Sequence, residues 1–415
     1  MAGKSSSGND LAILRDLAKQ YAEIGSREVQ ASRRNLWRDH NSLKRVGVPI
    51  YVRAYAAGEI PELKCRCSDP FYRGHESFLR REIFRDNFGD DTIVEPWITQ
   101  KAVYDIEYQK RWGPEIKLIP SPEARGSWLY DPPIKRLEDL DNLVAPRHVV
   151  NEAETARRTQ RLHDAVGDIL QVNVSRAPFL WVWQMDLSTD LAYLRGLEQV
   201  MWDMMDNPGW LHRLLAFMRD AVLAAHEKAE ANGDLHTCDH YNQAMPYARE
   251  LPDPRADGES VPRSKLWCFM AAQEFTGVSA AMHEEFMLRY QMEIMKPFGL
   301  AAYGCCEELQ DKIGMLRNIP NLRRIALAPR ADVKKAAEQI GSDYVCSYRP
   351  NPADMVSAGF DPNRMRCIVG RAMEVFKAND CIVDITLKDV ETVEHEPGRI
   401  REWVKIVREI TEDYS

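Results

Sequence analysis

The stretch that decides the fold is residues 300–348, which read LAAYGCCEELQDKIGMLRNIPNLRRIALAPRADVKKAAEQIGSDYVCSY. Short apolar runs in it predict three strands, and the segments between them, with apolar residues at helical spacing, predict two helices. The predicted strands are Leu300–Tyr303, Arg324–Ala328 and Tyr344–Cys346, and the predicted helices are Glu308–Leu316 and Val333–Ile340. Strands that alternate with helices indicate βαβ units and a parallel sheet.

The same alternation continues on both sides of this stretch. Further predicted strands are Val48–Val52, Thr92–Glu95, Ile169–Val174 and Cys381–Thr386. Further predicted helices are Glu152–Val166, Leu187–Met204, Leu211–Ala231, Met282–Lys296, Pro362–Phe376 and Arg399–Ile410. So many βα units in succession predict an α/β fold of the (βα)8 TIM barrel type.

The N-terminal part of the chain has a different character. Residues 1–10 are small and polar without an apolar core, so we expect a disordered start and not a secretion signal. Residues 11–46 have helical spacing and predict a helical arm. We therefore divide the chain into an N-terminal helical extension, residues 1–90, and a barrel domain, residues 91–415. Within the barrel, the proline-rich segment 111–146 indicates an insertion or a hairpin.

The composition restricts the functional classes. With 415 residues, 45% hydrophobic and 28% charged, the chain has the composition of a soluble globular protein of one large or two ordinary domains. The excess of 63 acidic over 55 basic residues, a net charge of −8, disfavours nucleic acid as a partner. No apolar run is long enough for a membrane helix. Nine scattered cysteines favour reduced thiols and a cytoplasmic location.

Barrel active sites are formed by loops at the C-terminal ends of strands, so polar residues after each predicted strand are the candidates. We expect the loops after Leu235, Tyr303, Cys346 and Val383 to converge on one pocket. Four groups of polar residues lie there: residues 236–241, residues 304–307, residues 347–352, and Asp384 with Lys388 and Asp389.

Two of these groups contain metal-ligand residue types. His236 and Cys238 have an H-x-C spacing that suits one tetrahedral zinc ion, and Cys306 follows a predicted strand. Together the three could bind zinc and leave its fourth position open. The alternatives are a solvated loop for the first group and buried structural cysteines for the second.

Other residues are candidates for substrate binding. Arg349 and Asn351 could hold an anionic or carbonyl oxygen, although the prolines beside them could equally form a rigid turn. Trp181 and Trp183 could form the wall of an aromatic pocket or belong to the core. We include Tyr303 and Asp384 because of their positions at strands. Glu307 could be a ligand, or it could equally favour the N-terminal dipole of the helix that follows it.

Five segments of the chain resemble the uroporphyrinogen decarboxylase superfamily, and specifically its branch of corrinoid-dependent methyltransferase-like proteins, found largely in anaerobic bacteria. They are residues 87–96 (NFGDDTIVEP), 272–279 (AQEFTGVS), 302–307 (AYGCCE), 318–324 (NIPNLRR) and 347–354 (SYRPNPAD). The resemblance implies a single uroporphyrinogen decarboxylase-like barrel with an N-terminal helical extension. It also implies active-site loops at the C-terminal rim and methyl transfer.

Two departures from the family pattern limit this comparison. The arginine-rich signature of the decarboxylases is reduced to Arg53 in this chain, which disfavours porphyrinogen as the substrate. The zinc methyltransferases carry H-x-C where this chain has Gly304-Cys305-Cys306, so Cys306 matches the family cysteine but the histidine is lost. Their last cysteine also has no counterpart here. His236 and Cys238 would have to replace the missing zinc ligands.

The resemblance leads to a functional hypothesis. The chain would transfer a methyl group from a small methylated compound, such as a methoxylated aromatic, to the Co(I) corrinoid of a partner protein by demethylation. Zinc at Cys306, or a proton from His240, Tyr241 or Glu274, would activate the leaving heteroatom. The alternative is a decarboxylase-type lyase acting on a small acid. The sequence does not identify the methyl donor, and the chain is compatible with a homodimer.

Overall fold

The computed structural model describes residues 2–123 and 126–414. Its strands are β1 Ile50–Val52, β2 Trp97–Lys101, β3 Lys117–Ile119, β4 Leu129–Asp131, β5 Gln171–Ser175, β6 Trp267–Met270, β7 Leu300–Tyr303, β8 Leu322–Leu327, β9 Val345–Tyr348 and β10 Ile382–Leu387. Helices precede, connect and follow these strands. They are α1 Ala2–Ser26, α2 Val29–Asn41, α3 Pro70–Arg85, α4 Glu152–Val166, α5 Ser188–Arg195, α6 Leu197–Asp206, α7 Pro208–Asn232, α8 Ala280–His283, α9 Arg289–Met295, α10 Ile313–Leu316, α11 Val333–Ile340, α12 Pro352–Met355, α13 Pro362–Ala378 and α14 Gly398–Thr411.

The parallel strands form two separate groups. Six of them form a curled sheet in the order β1-β10-β9-β8-β7-β6, and β2 pairs with β5 in a second, two-stranded sheet. Strands β3 and β4 form an antiparallel hairpin. No strand pairing joins the two parallel groups anywhere in the described part of the chain. The predicted α/β class is confirmed, but the predicted closed (βα)8 barrel is corrected to a half-barrel.

At the two open edges of the sheet, β1 and β6, side chains accept hydrogen bonds from backbone N–H groups. At β1, Asp91 accepts the Ile50 N–H at 2.8 Å and Asp90 accepts the Val52 N–H at 2.7 Å. At β6, the Trp267 N–H donates to Nδ1 of His240 at 3.1 Å. An edge N–H that already has a buried acceptor does not need a neighbouring strand. The strands β2 and β5 therefore lie beside the sheet without continuing it.

The curled sheet has an apolar outer face and a polar inner face. Along β10, Val383, Ile385 and Leu387 belong to the core shared with the surrounding helices. The alternate residue Asp384 instead binds Arg324 of β8 at 2.8 Å, past the intervening strand β9. Such a contact between non-neighbouring strands requires the concave face of a sheet, so Asp384 and Arg324 point inward.

Helix α2 closes one end of this concave face. Trp37, His40 and Asn41 of α2 are all buried. Nε2 of His40 lies 3.0 Å from Asp384, and Oδ1 of Asn41 accepts from Arg324 at 2.7 Å. The N-terminal helices are thus part of the same packed unit as the sheet.

The first helix and the first strands differ from the sequence prediction. Residues 1–10 were expected to be disordered, but helix α1 includes residues 2–10, and residue 1 lies outside the described residues. Asp10 is buried, and its carboxylate accepts the N–H groups of Ser68 and Asp69. Thr92–Glu95 is not a strand; β2 begins after Pro96 instead. Strand β1 lies inside residues 1–90, and the domain division at residue 90 stays a prediction.

The hairpin β3–β4 lies in the segment predicted as an insertion or hairpin, so that prediction is confirmed. Among the described helices, none is both long and apolar enough to cross a lipid bilayer.

We predict that Asp384→Asn lowers the free energy of unfolding by about 3–5 kcal/mol at pH 7, because it leaves the Arg324 charge buried without its partner. Although burial opposes ionisation, Arg324 and His40 hold the pKa of Asp384 below its usual range. A lowered pKa stabilises the fold above the pKa of an unfolded aspartate, about 3.9, and the effect declines as the pH falls. Urea unfolding of both proteins at pH 7 and pH 3 should show a smaller difference at pH 3.

The matched control is Asp380→Asn, just before β10. Asp380 pairs with Arg45 on the surface, where the aspartate side chain is 77% exposed. We expect this variant to change the free energy of unfolding by less than about 0.5 kcal/mol. Equal losses in the two variants would show that the buried pair does not stabilise the sheet.

Candidate functional site

The C-terminal ends of four strands meet on the inner side of the sheet. Arg53 follows β1, Cys305 and Cys306 follow β7, Arg349 follows β9, and Lys388 follows β10. Because parallel strands end at the same edge of a sheet, these side chains converge there. This convergence forms the candidate active site.

The centre of the site is a pair of adjacent thiols beside a buried ammonium group. The sulfur atoms of Cys305 and Cys306 are 3.7 Å apart. Nζ of Lys388 lies 3.4 Å from Sγ of Cys305 and 3.0 Å from Sγ of Cys306. The same ammonium donates to the carboxylate of Asp389 at 2.6 Å. The ammonium is thus shared by two sulfurs and one carboxylate.

The electrostatics of the thiol pair favour one negative charge. A hydrogen bond from Cys306, together with the positive charges of Arg349, Lys388 and Arg53, holds the pKa of Cys305 well below that of a free thiol. The hydrogen bond with Cys305 and burial raise the pKa of Cys306. The two thiols therefore titrate as a unit, with one proton retained between them at neutral pH.

A chain of hydrogen bonds runs from the thiols to Tyr241. Arg349 donates to the Cys305 carbonyl and to Oε1 of Gln243, both at 2.6 Å. Arg53 donates to the same Oε1 at 3.1 Å and to the Tyr241 hydroxyl at 3.0 Å. Nε of Arg349 and Nε2 of Gln243 are buried without a hydrogen-bond partner. Two donors in the site are therefore free to bind a polar group.

An aromatic cavity lies next to this polar cluster. It has a volume of about 570 Å³ and lies between the C-terminal ends of β2 and β5. Its lining includes Tyr104, Phe179, Trp181, Trp183 and Tyr241. The Arg53 guanidinium lies 5.8 Å from the centre of the Trp183 ring. The predicted residues Trp181, Trp183 and Tyr241 are thus brought together, and Arg53 connects the cavity to the thiols.

The three predicted zinc ligands are not brought together. His236 lines a different cavity, of about 730 Å³, beside α4 and β5. Sγ of Cys238 donates to the Arg255 carbonyl at 3.1 Å, and burial and Asp239 raise the pKa of Cys238 to about 12. In residues 2–123 and 126–414, no group of three or more His, Cys, Asp or Glu residues is arranged to hold a metal ion.

The residues around Cys306 also do not suit zinc. Zinc sites in proteins supply at least three ligands, whereas Cys305, Cys306 and the nearby Asp389 do not form a group that is arranged to hold a metal ion. The positive charge beside them is already supplied by Lys388, whose Nζ is 3.0 Å from Cys306. A metal cation in contact with both sulfurs would be repelled by this ammonium. The donor set therefore does not fit the zinc site that the resemblance implies.

The predicted proton donors have different environments. Both ring nitrogens of His240 are bound by backbone groups, of Pro252 and Trp267, and burial lowers its pKa to about 4. His240 is thus a neutral structural residue without a free proton. Glu274 accepts a hydrogen bond from the Ser188 hydroxyl at 2.6 Å. The hydroxyl of Tyr241 accepts from Arg53 and keeps its own proton for another acceptor.

Three predicted substrate-binding residues have structural contacts instead. The Tyr303 hydroxyl donates to Gln291 on the helix side of the sheet, and Asn351 caps α12 by accepting from the Ala353 N–H. Asp384 lies deeper on the concave face, in contact with α2. Among the predicted substrate-binding residues, Arg349 lies in the polar cluster, and Trp181 and Trp183 line the adjacent aromatic cavity.

Sequence reasoning assigned no role in this site to Lys388, Gln243 or Cys305. Lys388 and Cys305 do lie in the predicted groups after strands, so their position was available from the sequence. Gln243 lies in the long segment between α7 and β6, and no sequence signal marks it. Its positive φ of 64° shows that the backbone turns sharply at this residue.

No family model matches the chain, and no curated protein matches it. Among solved structures, the chain is similar to a methyltransferase from Methanosarcina mazei, with a TM-score of 0.50 and 12% sequence identity. The match covers 92% of this chain and 98% of that one. At this level of identity the likeness shows a shared fold.

We predict that Lys388→Met raises the pH at which the thiol pair becomes reactive. Removing a positive charge next to a thiolate favours the protonated form, by about 1–3 pKa units for a charge at this distance. The rate of iodoacetamide alkylation of the peptide that contains both Cys305 and Cys306, followed by mass spectrometry from pH 4 to pH 9, gives the midpoint of the pair. Lys334→Met, at a side chain that is 75% exposed, is the control and should leave the midpoint unchanged. Unchanged midpoints in both variants would contradict the ion pairing.

Proposed function

We propose that the chain is a methyltransferase that moves a methyl group from a methoxylated aromatic compound to the Co(I) corrinoid of a separate partner protein. The observation that carries this proposal is the Tyr241 hydroxyl in an aromatic cavity of about 570 Å³, hydrogen bonded to Arg53 at 3.0 Å. The shared fold with a protein described as a methyltransferase also supports it.

The cavity suits a flat aromatic substrate. Trp183 and Phe179 present ring faces and edges against which a substrate ring could pack, and such aromatic contacts favour offset or perpendicular stacking. The Trp183 ring is held by Phe269, whose ring centre is 5.0 Å away. A fixed wall of this kind orients a planar substrate with little loss of side-chain freedom.

Tyr241 is the proposed proton donor. In a methyl aryl ether the oxygen leaves as a phenolate, which is stabilised when a proton is supplied as the carbon–oxygen bond breaks. A hydroxyl that accepts a hydrogen bond from a guanidinium becomes a better donor. Arg53 is therefore a positioning residue for Tyr241, and its own orientation depends on Gln243.

The overall step is balanced as a displacement at carbon. The bond between the methyl carbon and the ether oxygen breaks, and the electron pair of that bond goes to the oxygen, which takes the proton of Tyr241. The methyl acceptor, a Co(I) corrinoid on the partner, would supply the electron pair for the new bond to carbon. No part of this step requires zinc, which the donor set of this chain does not fit.

We predict that Tyr241→Phe lowers kcat for demethylation of 4-methoxybenzoate by about 10²–10⁴-fold, the usual contribution of a positioned general acid. The KM should change little, because the ring remains in place. The assay measures 4-hydroxybenzoate with cob(I)alamin as the methyl acceptor, and the loss of the Co(I) absorption reports the same event.

Tyr104→Phe is the matched control, because Tyr104 lines the same cavity. Its hydroxyl is bonded to the carbonyls of Arg176 and Ala177, so it has no proton to give to a substrate. We expect kcat to stay within about threefold of the wild-type value. Equal loss in the two variants would exclude Tyr241 as the specific donor.

The decarboxylase-type lyase remains the second candidate, and the buried cations favour it. Arg53, Arg349 and Lys388 all lie in the site, and the free Nε of Arg349 could bind a carboxylate. The same incubation distinguishes the two functions. Release of carbon dioxide from 4-methoxybenzoate without formation of 4-hydroxybenzoate would replace the methyltransferase proposal by the lyase.

A further inference from the structure

The adjacent thiols Cys305 and Cys306 have no role in the methyl transfer described above. Their sulfurs are 3.7 Å apart, and Cys306 is exposed while Cys305 is buried beneath it. We propose that this pair is a binding site for monosubstituted trivalent arsenicals, in which arsenic carries one organic group and two exchangeable oxygens.

The number of sulfur ligands supports this class of ligand. Arsenic(III) with one organic group needs two further bonds, and two thiols supply both. Soft thiolate sulfur is the preferred partner of soft, thiophilic centres. A structural zinc ion would need four ligands, and the described residues offer no suitable group of even three acidic, histidine or cysteine side chains.

The geometry of adjacent residues disfavours a disulfide bond between Cys305 and Cys306, which would prevent arsenic binding. Neighbouring Cα atoms across a trans peptide are about 3.8 Å apart, whereas disulfides need about 4.4–6.8 Å. A disulfide between adjacent residues is therefore strained and easily reduced. A bridging arsenic atom does not require a bond between the sulfurs, which are 3.7 Å apart and point to the same space. The pair is thus kept as a dithiol that can accept a bridge.

The surrounding charges suit the exchange reaction. Lys388 lies within 3.4 Å of both sulfurs and favours the thiolate, which is the attacking form. In the exchange R–As(OH)₂, one thiol and one thiolate give R–As(S)₂, one molecule of water and one hydroxide ion. Two As–O bonds break and two As–S bonds form; the thiol proton leaves in the water, and the released hydroxide takes a proton from solvent. No oxidant or reductant is consumed.

The test uses phenylarsine oxide on the full chain. It reacts with two thiols to give one phenylarsine bridge and one molecule of water. Intact mass spectrometry should show one adduct per chain, and peptide mapping should place it on the peptide that contains both Cys305 and Cys306. The readout does not involve methyl transfer, so it stands or fails separately from the proposed function.

Cys305→Ser and Cys306→Ser should each abolish the stable adduct, since loss of one sulfur removes the chelate and weakens binding by about 10²-fold or more. The exposed position of Cys306 makes its variant the safer of the two for folding, and circular dichroism checks both. A stable adduct that persists in folded Cys306→Ser would overturn the proposal.

The matched control is the double variant of the other close pair, Cys65→Ser with Cys67→Ser. Cys67 is buried and its thiol contacts the Asp10 carbonyl, while burial and Glu76 raise its pKa to about 12. The adduct should form unchanged in this variant. If the adduct is lost in the Cys65→Ser, Cys67→Ser double variant and kept in Cys306→Ser, the arsenical binds Cys65 and Cys67, and the proposed site is refuted. In wild type, 2,3-dimercaptopropanol should displace the ligand at about 10²-fold lower thiol concentration than 2-mercaptoethanol.

Discussion

The buried carboxylate of Asp384 is the constraint on which the rest of the structure depends. It accepts from Ser347 on β9 at 2.8 Å, pairs with Arg324 on β8 at 2.8 Å and contacts His40 on α2 at 3.0 Å. A charge without solvent is tolerated only when its partners surround it. The positions of three strands and one helix are therefore tied to a single side chain.

This arrangement also positions the residues of the candidate site. Asp384 and Ser347 are paired across β10 and β9, so the strands are held in register at that point. Side chains alternate along a strand, and Arg349 and Lys388 therefore emerge on the same concave face further along. The thiols that follow β7 lie across the concave face from them, with Nζ of Lys388 3.0 Å from Sγ of Cys306. The ion network of Asp384 thus lies on the same concave face as the cluster of cations and thiols and supports the strands that carry Arg349 and Lys388.

The half-barrel has a consequence for the site. Strands β2 and β5 pair with each other and not with the main sheet. The aromatic cavity is formed between their C-terminal ends, beside the polar cluster and not within it. The candidate site consequently has an apolar side that suits a ring and a charged side that suits polar groups. Arg53 and Tyr241 lie where the two sides meet.

The sequence by itself determined the alternation of strands and helices from β7 to α14, the parallel sheet and the location of the candidate residues after strands. These follow from periodicity, which depends on neighbours in the chain. Trp183 and Tyr241 were separate candidates in the sequence, and the structure places both in the lining of one cavity; their roles stay predictions. The methyl donor and the corrinoid partner stay predictions.

Only the tertiary structure decided which residues meet. His236, Cys238 and Cys306 have suitable chemistry, but their separation depends on the path of the chain between α7 and β7, which no local pattern records. The open barrel likewise depends on Asp90 and Asp91 satisfying β1 from outside the sheet. Lys388 reaches the thiols because the curl of the sheet brings the end of β10 towards the end of β7, although two strands lie between them. Such contacts join residues far apart in sequence, and their energies depend on burial, which exists only in the folded chain.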